Sequence, residues 1–129
     1  MNAPHIYDTG ALIAAERHDR RLAVRHALGI QEKRRLIIPA PVLAQAWRDG
    51  GRQVSLARFV ATCEVATLDE VMAKETGVLL GRSATRDVVD AAVVALALAL
   101  DGVIFTSDPD DISQLCTFAD VHRPALIRV

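Results

Sequence analysis

The chain is organised around an apolar stretch that opens with two carboxylates, Asp87-Val88-Val89-Asp90-Ala91-Ala92-Val93-Val94-Ala95-Leu96-Ala97-Leu98-Ala99-Leu100. The stretch is long enough for a buried helix, and Asp87 and Asp90 would share one face of it because they are three residues apart. An ionised carboxylate in apolar surroundings is costly unless a cation or good donors compensate it. Helix capping explains Asp87, and the helix dipole favours Asp90. Two carboxylates in so apolar a segment still direct attention to other acidic residues that could join them around a metal ion.

Length and composition predict a single domain over residues 1–129. The chain is 51% hydrophobic and 24% charged, which is ordinary for a globular protein. Its net charge of -1 gives no global indication of nucleic-acid binding. Residues 1–58, however, hold ten Lys or Arg against five Asp or Glu, and residues 59–129 hold five against eleven. An acidic centre beside a basic surface would produce this asymmetry, and so would ordinary ion pairing.

Targeting and redox signals predict a cytoplasmic protein that does not enter the membrane. The N-terminus lacks a charged lead followed by an apolar stretch, so no signal peptide is expected. The long apolar stretch is interrupted by Asp90 and is shorter than the roughly 18 residues that a membrane span requires. Cys63 and Cys116 are isolated and are expected to be free thiols. The remaining candidate metal ligands lack ligand spacing and are expected at the surface; they are His5, His18, His26 and His122.

Short aliphatic strands alternate with helical segments along the whole chain. Strands are predicted at 4–7, 36–38, 64–67, 103–105 and 125–129, which indicates an α/β fold with a mostly parallel central sheet. A basic helical segment is predicted from Arg17 to Arg35. Within it Arg17, Arg21 and Arg25 recur at four-residue steps and would share a face. Such a face is most often only solvated, and an RNA-facing role is the secondary interpretation.

The predicted topology brings several carboxylates to one edge of the sheet. In a parallel sheet the carboxyl end of each strand and the N-terminus of the following helix lie at the same edge. The residues expected there are Asp8, Asp87, Asp90, Asp108 and Asp111, with Gln45 early in the helix after the second strand. Each aspartate alone is explained as a helix cap, but the set favours a metal site. Oxygen ligands select Mg²⁺ or Mn²⁺, and such a site suits phosphodiester hydrolysis.

Other phosphate and hydrolase chemistries lack their motifs. The sequence contains neither GxxxxGK[ST] nor GxGxxG, the loops that cradle nucleotide phosphates. It also lacks the GxSxG motif of serine hydrolases. An aspartyl-phosphate enzyme would need a second Asp two residues after Asp8, where this chain has Gly10.

Three motifs in order resemble the PIN domain, and the small size resembles the VapC-type toxins of toxin–antitoxin pairs. The motifs are Asp8-Thr9, Asp90-Ala91 and Thr106-Ser107-Asp108-Pro109-Asp110-Asp111. The resemblance implies a three-layer α/β/α fold and a Mg²⁺-dependent endoribonuclease, often a homodimer, that a small antitoxin protein holds inactive. It also implies that Asp8, Asp90 and Asp108 are the catalytic, metal-binding acids. Asp111 matches a further acidic position of many members.

One position departs from the family pattern. The helix after the second strand usually carries Glu, where this chain has Gln45. Glutamine offers a carbonyl oxygen but no charge, and Asp87 is the candidate to restore that charge. Two hypotheses follow: an active metal-dependent ribonuclease toxin, or a PIN-like module that binds RNA or an antitoxin with little or no turnover.

Overall fold

The computed structural model describes residues 2–129. In chain order the elements are β1 (His5–Tyr7), α1 (Thr9–Glu16), α2 (Arg20–Gln31), β2 (Leu36–Pro39), α3 (Ala40–Ala46), α4 (Val54–Ala61), β3 (Glu64–Ala66), α5 (Glu70–Ser83), α6 (Val88–Leu100), β4 (Val103–Thr106), α7 (Pro109–Ala119) and β5 (Leu126–Arg128). No helix within these residues is both long enough and apolar enough to cross a membrane.

The sheet has five strands in the order β3-β2-β1-β4-β5, and every neighbouring pair is parallel. Ile6 of β1 is aligned with Ile37 on one side and Ile104 on the other, and all three are fully buried. Helices α1, α2 and α4 form one packed group, and α5, α6 and α7 form another. The α/β expectation is confirmed, and the parallel arrangement places all strand carboxyl ends at one edge.

Helix α6 covers nearly all of the apolar stretch 87–100, and it packs across β1, β2 and β4. Its Ala91, Val93 and Val94 are completely buried. The helix ends at Asp101, which adopts the left-handed conformation with φ 52°. Gly102 follows because a Cβ there would lie 2.7 Å from the Ile6 side chain. Apolar burial therefore fixes α6 against the sheet and aims its acidic N-terminus at the carboxyl edge.

The predicted basic helix over 17–35 is wrong at both ends. Helix α1 ends at Glu16, Arg17 is its C-cap, and His18 has φ 58°. Asp19 then starts α2 as an N-cap whose carboxylate accepts a hydrogen bond from Leu22 N–H at 2.9 Å. Arg17 therefore does not share a helix face with Arg21 and Arg25.

Two of the four histidines predicted at the surface are buried. His5 is 7% exposed and His26 is 8% exposed, whereas His18 and His122 are exposed. The Tyr7 hydroxyl lies 2.7 Å from His26 Nδ1, and His26 Nε2 lies 2.7 Å from the Thr62 hydroxyl. Thr62 donates its own hydrogen to the Phe59 carbonyl, so His26 Nε2–H donates to Thr62. Paired ring nitrogens make the burial of His26 tolerable.

Candidate functional site

The first carboxylate of the site is Asp8, which directly follows β1. It is 6% exposed and caps α1, because its Oδ1 accepts a hydrogen bond from Ala11 N–H at 2.9 Å. Its neighbour Thr9 donates a hydroxyl hydrogen bond to Gln45 Oε1. Gln45 thus lies beside the site, and its side-chain carbonyl oxygen already accepts a hydrogen bond from within the chain.

Thr106 at the end of β4 lies between the first carboxylate and a second one. Its side chain is fully buried, and its hydroxyl oxygen accepts a hydrogen bond from Asp108 N–H at 2.9 Å. The same side chain lies close enough to the Asp8 carboxylate to oppose the rise in its pKa. Sequence analysis missed this role, since Thr106 was noted only as part of a motif.

Gly10 brings the two carboxylate loops into contact. A Cβ at this position would lie 2.0 Å from Ser107 Oγ and 2.7 Å from Ser107 Cβ. Any larger residue would therefore force the start of α1 away from the loop between β4 and α7. Only the tertiary structure reveals this requirement.

Two further carboxylates stand at the N-terminus of α6. Asp87 is the N-cap, and its carboxylate accepts a hydrogen bond from Asp90 N–H at 3.0 Å. Asp87 N–H in turn donates to the Thr85 hydroxyl at 3.2 Å. Asp87 therefore acts as a helix cap, and Asp90 projects from the first turn.

Burial and neighbouring negative charges raise the pKa of Asp90 and of Asp8. Burial, followed by the negative charges of Asp87, Asp8 and Asp111, raises the pKa of Asp90 to about 7. Burial also raises the pKa of Asp8, and the charge of Asp108 adds to the shift, while the Thr106 side chain and the hydrogen bond from Ala11 N–H oppose it. Asp8, Asp87 and Asp111 thus act on Asp90, and Asp108 acts on Asp8, so the five predicted acids lie in one region of the molecule. Across residues 2–129, none of the five is in a salt bridge.

A pocket of about 500 Å³ opens beside these acids, between α7 and the turn from α5 to α6. Asp87, Asp90 and Asp111 lie in its wall. Over the described range, no three acidic, His or Cys side chains stand close enough to form a ready metal cluster. The donors at the site are carboxylate oxygens without thiol or imidazole, and this donor chemistry fits Mg²⁺ or Mn²⁺.

A basic groove of about 690 Å³ lies between α2 and β5. Its wall includes two of the three predicted arginines, Arg21 and Arg25, whereas Arg17 is absent from it. Two arginines that the sequence analysis did not single out, Arg20 and Arg128, complete the basic wall. No salt bridge within residues 2–129 involves any of these four arginines.

Comparisons with known proteins identify the fold. No protein-family model matches the sequence, and no curated protein matches it either. Among solved structures, the chain is similar to one from the crystal structure of VapBC2 from Rickettsia felis bound to a DNA fragment from their promoter. The TM-score is 0.73 at 14% sequence identity, over 97% of this chain and 98% of that chain. The predicted three-layer, PIN-like α/β/α fold is confirmed.

Proposed function

We propose that this chain is a metal-dependent endoribonuclease and the toxin component of a type II toxin–antitoxin pair. The observation that carries the proposal is the convergence of Asp8, Asp87 and Asp111 on Asp90, with no basic partner among the described residues. Acids from three places in the chain meet at the carboxyl edge of a parallel sheet, where α/β proteins bind ligands. The fold likeness to a chain of VapBC2 gives independent support.

Asp8 and Asp90 would hold a Mg²⁺ or Mn²⁺ ion, with Asp108 and Asp111 as further oxygen ligands. Such an ion, when bound, lowers the pKa of a water molecule and offsets charge that develops on the phosphate. The chain itself fixes Asp8 through Ala11 N–H and Thr106, so that its orientation does not depend on the ligand.

Asp90 would bind a cation in its ionised form. Burial and the neighbouring negative charges raise its pKa to about 7 in the metal-free protein, so cation binding would release a proton at neutral pH. Asp87 positions it by accepting its backbone N–H, and we assign Asp87 this capping role rather than that of a ligand.

The basic groove is the proposed path of the RNA backbone. Helix α2 leads into β2, so its N-terminus with Arg20 and Arg21 lies at the carboxyl edge, as Asp8 does. Arg128 is aligned with Thr106, whose side chain lies close to Asp8. Guanidinium groups without intrachain partners are available to neutralise phosphates.

The proposed protein partners are a small antitoxin and a second copy of the chain. The solved neighbour belongs to a VapBC2 complex. Helix α2 exposes Leu28 and Ile30, which are 48% and 49% exposed. Exposed aliphatic side chains are favourable to bury against a partner protein, so this helix is the proposed contact surface.

A second candidate function is a PIN-like module that binds RNA or antitoxin without turnover. The specific observation is Gln45, which brings no charge and whose Oε1 already accepts the Thr9 hydroxyl. The variant Gln45→Glu separates the two candidates. A silent parent that becomes active on this change supports the module, whereas a parent that is already active supports the ribonuclease.

The test of the ribonuclease is cleavage of RNA by the purified protein with Mg²⁺ or Mn²⁺. We expect Asp8→Asn and Asp90→Asn to abolish cleavage. The matched control is Asp101→Asn, because Asp101 caps the C-terminal end of the helix whose first turn holds Asp90, and its left-handed conformation suits Asn. Undiminished cleavage by Asp90→Asn would exclude the proposed site.

A further inference from the structure

One side of the pocket at Asp90 carries an amide and an aromatic ring beside a proposed metal ligand. Helix α7 carries Asp111, Gln114 and Phe118 at intervals of three and four residues, so they share a face. All three line the pocket, and the turn from α5 to α6 forms the opposite wall with Thr85. Phe118 is 60% exposed, although it is a large aromatic side chain.

The pocket combines an aromatic face with directional polar groups. Within residues 2–129, the Gln114 amide has no side-chain hydrogen-bond partner, so it can offer both a donor and an acceptor. The Thr85 hydroxyl accepts from Asp87 N–H, which leaves its own hydrogen available for donation. Leu115, only 5% exposed, closes the pocket between them.

We propose that this pocket binds one unpaired base of the RNA strand, stacked on Phe118 and hydrogen-bonded by Gln114, next to the phosphodiester that lies at Asp90. The inference rests on the proposed ribonuclease function and adds the residues that select the sequence cut. Unpaired bases are recognised by aromatic stacking combined with hydrogen bonds to their edges. The volume of about 500 Å³ lies in the range of small-ligand sites.

Continuity with the carboxylates favours a base over a docked protein side chain. Asp90 and Asp111 lie in the same pocket as Phe118, so a strand whose phosphate is held near these acids by a divalent cation would bring a neighbouring base to the ring. A purely apolar partner would instead leave the carboxylates and the Gln114 amide without hydrogen bonds, which is unfavourable on burial. Protein docking on Phe118 is therefore an outcome that the experiment must exclude.

The experiment measures binding and cleavage of short single-stranded RNAs in which each base in turn is replaced by an abasic site. We compare wild type with Phe118→Ala, Gln114→Ala and the control Val71→Ala, a 63% exposed apolar side chain on α5. We expect Phe118→Ala to weaken binding about 10-fold, as loss of one stacked base would. For wild type, an abasic site at one position should weaken RNA binding by the same factor. For Phe118→Ala, that abasic site should leave the affinity almost unchanged. Gln114→Ala should flatten the base preference at that same position.

Several results would overturn the inference. One is an equal loss of affinity for every abasic position in wild type and in Phe118→Ala. Another is an unchanged base preference in Phe118→Ala and Gln114→Ala. A third is a changed molar mass of Phe118→Ala in light scattering, which would assign the face to a protein partner. Failure of the proposed function gives a different pattern. Position-specific binding without cleavage would reject the nuclease but keep the base pocket, whereas cleavage without position-specific loss would reject the pocket alone.

Discussion

At the scale of single residues, Asp90 has the largest influence on how the site depends on pH. Its pKa of about 7 exceeds the ordinary value of 3.8, so the fold disfavours its charged form. The resulting loss of stability is absent below about pH 3.8 and grows until the pH exceeds the raised pKa. We expect Asp90→Asn to raise the melting temperature (Tm) of the metal-free protein at pH 8 and to change it much less at pH 5. Calorimetry at the two pH values checks this, and an equal gain at both would contradict it.

Thr106 is the residue whose hydroxyl bonds Asp108 N–H and lies beside Asp8. The substitution Thr106→Val keeps the shape but removes the hydroxyl, leaving Asp108 N–H without its acceptor and Asp8 without its polar neighbour. We expect a loss of about 1–3 kcal/mol in unfolding free energy, as for a buried unsatisfied group, and a clear loss of RNA cleavage. Denaturant unfolding measures the first effect. Thr117→Val is the control, since Thr117 is exposed and bonds only within α7.

At the scale of elements, α2 and β5 together form the basic groove. Each phosphate contact on single-stranded RNA contributes about 0.7 to the slope of log affinity against log salt. We expect the double variant Arg21→Gln, Arg25→Gln to reduce this slope by about 1.4 and to weaken binding alike for all sequences. Fluorescence anisotropy at several salt concentrations checks the slope. Lys74→Gln on α5 is the control. A similar change of the salt slope in this control and in the double arginine variant would show that the groove is not the RNA-binding surface.

Most elements could be predicted from the sequence because their signals are local. Short aliphatic runs predicted the position of every strand, and the length of the apolar stretch 87–100 predicted α6. The break at Arg17 was missed, because a repeated four-residue spacing of arginines indicated a continuous helix. Asp19, the cap that starts a new helix there, was present in the sequence. Helix α7 begins at Pro109, a residue that fits the first turn of a helix.

At the scale of the whole molecule, two buried histidines and the half-buried Asp90 affect the response to pH in opposite directions. Burial is the main cause that lowers the pKa of His5 to about 4, and it also lowers the pKa of His26. Because the fold disfavours the protonated rings, the free energy of unfolding is unaffected by them above about pH 6.5 and decreases as the pH falls below it. The carboxylate Asp90 acts in the opposite direction over nearly the same range. We expect wild-type Tm to change little between pH 5 and 7 and Asp90→Asn to lose Tm steadily as the pH falls. A steeper change in wild type than in the variant would contradict this balance.

The site could be predicted from topology but not from side-chain detail. Parallel strands sufficed to bring Asp8, Asp90 and Asp111 to one edge. The close approach at Gly10 and the position of Thr106 beside Asp8 depend on contacts between segments nearly a hundred residues apart, for which the sequence carries no periodic signal. The burial of His5 and His26 was missed for the same reason.

The proposed divalent-cation centre consists of carboxylates that share the carboxyl edge of the sheet. The most direct measurement is isothermal titration of Mn²⁺ and Mg²⁺ into the purified protein at pH 8, with wild type, Asp8→Asn, Asp90→Asn and the control Asp101→Asn. We predict saturable binding to wild type and to Asp101→Asn, and at least a 10-fold loss of affinity in the two site variants. Equal affinity in all four proteins, or no saturable binding to wild type, would contradict this proposal.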